Sequence, residues 1–107
     1  MIPFPTLRQF PALLNFLSAY LSERDIENRT EEQAIQYFLS VTPLNEIILT
    51  IEEGKKLLNK LFFPWKEVSS AANRYLSNKQ EAREWLTKIM KILEEELKKR
   101  KLTSYLK

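Results

Sequence analysis

The chain has 107 residues, 44% hydrophobic and 29% charged, which suits one domain with a single buried core and is too apolar for a disordered segment. It holds no His, no Cys and one Gly, which excludes disulfides and imidazole or thiolate metal sites and leaves little material for hairpin turns. The net charge of +3 hides a split: residues 1–53 carry eight acids against three bases, and residues 54–107 carry fourteen bases against six acids.

The opening Met1-Ile2-Pro3-Phe4-Pro5 lacks the basic start and apolar run of a secretion signal. No stretch approaches the roughly 20 apolar residues that span a bilayer. A soluble, cytoplasmic protein is expected, with no membrane partner.

A first helix is expected over residues 11–21. Pro11 suits its first turn, where no partner for the missing N–H is needed. Leu13, Phe16, Leu17, Tyr20 and Leu21 recur at spacings of three and four and make one apolar stripe. Residues 6–10 can add a preceding turn. Residues 22–29 are polar and charged and read as a loop.

Thr30-Glu31-Glu32-Gln33 is a capping box that opens a second helix, with two acids in the first turn where the helix dipole favours them. Ala34, Tyr37, Phe38 and Val41 are expected to line its inner side. Thr42-Pro43 repeats the start signal for a third helix carrying Leu44, Ile47, Ile48 and Ile51 inward, and Leu58, Leu61 and Phe62 if it continues. Gly54 lies inside that stretch and marks a break, a kink or a close crossing.

Pro64 opens a short fourth helix with Trp65, Val68, Ala72, Tyr75 and Leu76 at helical spacing. Asn78 caps a fifth and longest helix, with Ala82, Trp85, Leu86, Ile89, Leu93 and Leu97 inward and Lys88, Lys91, Lys98 and Lys99 outward. The expected fold is all-α: a compact single-domain bundle of about five amphipathic helices over residues 1–107.

Catalysis is not expected. General acid–base work by carboxylates needs an apolar cleft around them, whereas Glu52-Glu53 and Glu94-Glu95-Glu96 stand beside Lys and read as solvated. No catalytic residue, cofactor, metal site or small-molecule substrate is assigned. The basic run Lys98-Lys99-Arg100-Lys101 is the footprint a phosphate backbone would favour, but three acids precede it, and cations suit a helix C-terminus. Phe62, Phe63 and Trp65 flank Lys60 and Lys66; they read as core at a helix junction before they read as a stacking surface. The stronger binding candidate is acidic: Glu23, Asp25, Glu27, Glu31 and Glu32 place five acids within ten residues across a loop and a helix start.

Phe16-Leu17-Ser18-Ala19-Tyr20-Leu21, an acidic connection, then Thr30-Glu31-Glu32-Gln33-Ala34-Ile35 with Phe38-Leu39, resemble the immunity proteins of bacterial contact-dependent growth inhibition systems. Members of that family have an aromatic-Leu-Gly/Ala-Tyr block, an acidic connection and a Thr-Pro-Glu-Glu-Ala-type helix start. A later Arg/Glu-Trp-Leu is matched by Arg83-Glu84-Trp85-Leu86. The family commonly has an acid four residues after the Tyr, where this chain has Arg24 between Glu23 and Asp25.

The resemblance implies a small helical protein that stays in the producing cell's cytoplasm and binds a cognate C-terminal toxin domain, frequently a nuclease. A nuclease presents positive charge to its polyanion, so an acidic patch can compete for that surface and speed the encounter. The expected toxin-binding residues are Glu23, Asp25, Glu27, Glu31 and Glu32, with Tyr20 and Tyr37 adding contact area. The alternative is a basic helical nucleic-acid-binding or regulatory module using Lys88, Lys91, Lys98, Lys99, Arg100 and Lys101. Nucleic acid is the less favoured partner.

Overall fold

The computed structural model describes residues 4–22 and 30–106, with side chains to residue 100. Five α-helices and no strand occur among the described residues: α1 (Pro11–Asn15), α2 (Glu31–Val41), α3 (Leu44–Leu58), α4 (Trp65–Ala71) and α5 (Lys79–Leu106). The all-α single-domain bundle expected from the sequence is the fold observed. None of these helices is long and apolar enough to cross a membrane.

Chain order follows local signals. A single 3-10 turn (Leu7–Gln9) precedes Pro11, which sits at the first helical position of α1. From Phe16 the helix widens into a π-helical turn (Phe16–Leu21), whose end is closed by the Ser22 N–H donating to the Leu17 carbonyl at 3.0 Å. The stripe predicted across it holds: Leu13, Phe16, Leu17 and Leu21 are fully buried.

The start of α2 is the reciprocal box read from sequence. The Gln33 N–H donates to Thr30 Oγ1 (3.1 Å), and the Thr30 N–H donates to Gln33 Oε1 (2.9 Å). Its inner face is rotated from the expected one. Ala34, Ile35, Phe38 and Leu39 are buried, while Tyr37 and Val41 are exposed. Phe38 fixes that rotation by packing against Phe16, with ring centroids 4.6 Å apart.

The third helix begins one residue later than Thr42-Pro43 suggested. Pro43 remains extended, and its carbonyl accepts the Glu46 and Ile47 N–H groups, so Leu44 opens the helix and is exposed. Gly54 does not break α3, which runs on to Leu58; it permits a close crossing. A Cβ there would overlap Met90 Sδ and stand 2.9 Å from Met90 Cγ on α5. The helix ends at Leu58, so Leu61 and Phe62 do not extend its inward stripe.

Two acids, buried Glu53 and half-buried Glu67, accept from backbone amides of the N-terminal segment. The first turn of α1 has no side-chain cap of its own. Glu53 of α3 supplies one across the bundle: the Leu13 N–H donates to Glu53 Oε1 at 3.0 Å. Glu53 is only 8% exposed, which corrects its reading as a solvated carboxylate. Its charge meets the positive end of the α1 dipole. Glu67 of α4 does the same for the preceding turn, accepting the Thr6 and Leu7 N–H groups at 3.1 and 3.0 Å.

Asn73, in the left-handed conformation (φ 50°), follows the end of α4, a position that Asn tolerates better than most residues. Asn78 then caps α5 by accepting the Glu81 N–H at 2.8 Å. The 28 residues of α5 rise about 42 Å, close to the 44 Å long axis of the molecule. Ala82, Leu86, Ile89 and Leu93 are fully buried along it, and the helix packs against α2, α3 and α4. It is the spine of the core.

Candidate functional site

The expected toxin-binding residues divide into three groups. Glu23, Asp25 and Glu27 lie outside the described residues. Tyr20 and Tyr37 adjoin where the π-helical turn meets α2, while Glu32 lies on the first turn of α2, about 140° around the helix from Tyr37. The Tyr20 ring packs edge-on against Phe38 at 4.9 Å and lies 6.0 Å from the Tyr37 ring. Tyr20 is half-buried, Tyr37 is 45% exposed, and Glu32 is exposed on the first turn of α2. The Tyr20 ring, braced on buried Phe38, offers contact area at small entropic cost because its packing already restricts it.

Glu31 belongs to a third group, since its carboxylate is held within the bundle. Its Oε2 accepts the Trp85 indole N–H at 2.8 Å and pairs with Arg74 Nη1 at 2.7 Å. The Arg74 guanidinium also lies 5.6 Å from the Trp85 ring centroid. Glu31 therefore fastens α2 to the α4–α5 connection. The outward negative charge of this turn rests on Glu32.

Beside that fastening lies an open groove of about 360 Å³ lined by Arg74, Tyr75, Leu76, Glu81, Glu84, Trp85 and Lys88. Tyr75, placed by sequence on the inward stripe of α4, is 87% exposed because the helix has ended before it. Among the described residues no group of three or more acids is arranged to hold a metal ion.

The basic residues of the alternative reading are partly engaged. Lys88, Lys91 and Lys98 are exposed along α5. Lys99 pairs with Glu96 at 3.2 Å, and Arg100 Nη2 donates to the Gln36 carbonyl on α2 at 3.4 Å. Lys101 has no described side chain. Glu94, which interrupts the stripe, pairs with Lys55 of α3 at 3.1 Å. Acids and bases alternate here, which weakens any uniform positive field.

Sequence reasoning passed over two features. Glu53 shares the inward 50/53/57 spacing with buried Thr50 and Leu57, a periodicity that marks it as internal despite its charge. Arg83 Nη1 and Nη2 donate to the carbonyls of Leu58 and Lys60 at 2.9 and 3.3 Å, and its guanidinium covers the Phe63 ring at 5.1 Å. No local signal links Arg83 to a loop more than twenty residues upstream. Comparison with known proteins yields no matching family model, no matching curated protein and no matching solved structure.

Proposed function

We propose that this chain is an immunity protein of a contact-dependent growth inhibition system, binding the toxin domain of its cognate exoprotein in the cytoplasm and covering it. The observation that carries the reading is the meeting of the three sequence blocks behind the resemblance. Phe16 and Tyr20 of the first block pack on Phe38 of the second. Glu31 of the second bonds to Trp85 of the third. Residues dispersed over the chain thus make one scaffold that carries the Tyr20–Tyr37 pair and, on another side of α2, Glu32.

The mechanism is occlusion. Acidic charge at the start of α2, together with the acids that precede it in sequence, attracts a basic nuclease surface. Tyr20 and Tyr37 then supply the desolvated contact.

The test uses the toxin domain encoded beside this chain's gene. Purified chain should bind it and suppress its activity. Glu32→Lys combined with Glu23→Lys should lower the association rate roughly tenfold at low salt and flatten its salt dependence. No binding by the unaltered chain refutes the function. Binding with an unchanged rate and salt slope after the double reversal refutes the acidic face alone.

A further inference from the structure

The α3–α4 connection carries the most exposed pair of adjacent large apolar side chains among the described residues: Leu61 at 80% and Phe62 at 82%. Their display is built into the fold. On one side Arg83 holds the carbonyls of Leu58 and Lys60. On the other, Phe63 is buried under the same guanidinium, and its carbonyl accepts the Trp65 N–H at 2.9 Å. An anchored loop with two apolar residues turned to water loses free energy that a partner can restore.

Along the chain the tip is flanked by lysines, of which Lys55 is paired with Glu94 of α5. Residues 55–66 contain four lysines and no acid. Lys60 Nζ is set 5.8 Å from the Phe10 ring centroid, and Lys66 Nζ is set 5.6 Å from that of Trp65. The nearby acid Glu67 is bonded to the backbone of Thr6 and Leu7.

An occupant must take up hydrocarbon and cations together. A second copy meeting the same loop would bring lysine against lysine. Single-stranded nucleic acid stacks on successive aromatic faces, and the tip offers Phe62 with Leu61, which has no ring, beside it and Trp65 covered by Lys66. Protein interfaces are depleted in lysine, which here frames the tip. An anionic lipid surface supplies both needs, with phosphates at the headgroup level and acyl chains just beneath.

We propose that Leu61 and Phe62 are a shallow insertion tip by which the protein rests on an anionic membrane, with Lys56, Lys60 and Lys66 set against lipid phosphates. This is peripheral contact without a spanning segment, and it is independent of the toxin reading. It departs from the sequence expectation of no membrane partner because the exposure of Leu61 and Phe62 is a product of the fold.

The experiment is co-sedimentation of the full chain with vesicles of phosphatidylglycerol and phosphatidylcholine, and with pure phosphatidylcholine vesicles, at ~50 mM and ~200 mM salt. Binding is expected to the anionic vesicles, weaker at the higher salt, and to fall roughly tenfold or more in Leu61→Ser/Phe62→Ser. Both positions are solvent-exposed, so this variant should keep its circular dichroism and melting temperature. Phe62→Ser alone, with a smaller loss, serves if the double variant unfolds. Absence of binding to anionic vesicles at low salt overturns the proposal, as does equal binding to pure phosphatidylcholine or binding unchanged by the serine substitutions. A dimer, or retention on a single-stranded oligonucleotide, that disappears in the serine variant while vesicle binding is absent assigns the tip to that partner and equally overturns it.

Discussion

Replacing Gly54 by Ala sets two known effects against each other at one atom. In a helix interior, Ala is more favourable than Gly by about 1 kcal/mol. Against this, the added methyl overlaps Met90 Sδ and lies 2.9 and 3.2 Å from Met90 Cγ and Cε. Met90 is a flexible side chain, but it is 2% exposed, with fully buried Ile89 and Leu93 on the same helix. Overpacking of this kind costs about 1–3 kcal/mol. The net expectation is a loss of about 1 kcal/mol, or about 4–8 °C in Tm for a domain of this size. Urea unfolding followed by far-UV circular dichroism measures it directly. The diagnostic arm is Met90→Ala, which removes the obstruction and itself costs about 2–5 kcal/mol. In that background Gly54→Ala should stabilise, because the helix preference survives and the methyl fills part of the cavity. The sign reverses between backgrounds, giving a coupling of about 1–3 kcal/mol. If Gly54→Ala stabilises both backgrounds equally by about 1 kcal/mol, the close α3–α5 crossing is refuted.

Two further substitutions probe the polar joints of the bundle. Glu53→Ala should lower stability by about 1–3 kcal/mol, since it strands the buried Leu13 N–H. Glu53→Gln should cost less, because an amide oxygen still accepts; equal urea midpoints for Glu53→Ala and the unaltered chain would remove the cap from the account. For the α2 fastening, Glu31→Gln and Trp85→Phe should each destabilise and should couple by about 0.5–1.5 kcal/mol in a double-mutant cycle. Additive effects in that cycle would mean that the carboxylate–indole bond contributes nothing.

Helix order was legible because its signals are local. Pro11, the Thr30–Gln33 box and Asn78 each act within one turn, and each sits where the sequence places it. The choice of inward face was less legible, because it is decided between elements. Both the 34/37/38/41 set and the 34/35/38/39 set of α2 satisfy helical spacing, and only the meeting of Phe38 with Phe16 selects the second. Gly54 was readable as an exception without its meaning, which depends on Met90 far along the chain. In the Leu61-Phe62-Phe63 run, Phe63 goes inward and Leu61 and Phe62 go outward beside carbonyls held by Arg83 on another helix. Of the candidate residues, Tyr37 and Glu32 are exposed and Tyr20 is half-buried against Phe38. The acid at Glu31 was read as outward charge because its partners Arg74 and Trp85 come from remote sequence.

Glu53 and Glu67 grip the N-terminal segment by its main chain, at the amides of Thr6, Leu7 and Leu13. Amides are common to every residue except proline, so such a grip is blind to which side chains the segment carries at those points. It is strict about spacing, because two fixed carboxylates measure the length of chain between them. Point substitutions that preserve an amide can therefore accumulate at Thr6 while docking persists, whereas inserting or deleting one residue between Leu7 and Leu13 would force the segment to release one of its two clasps.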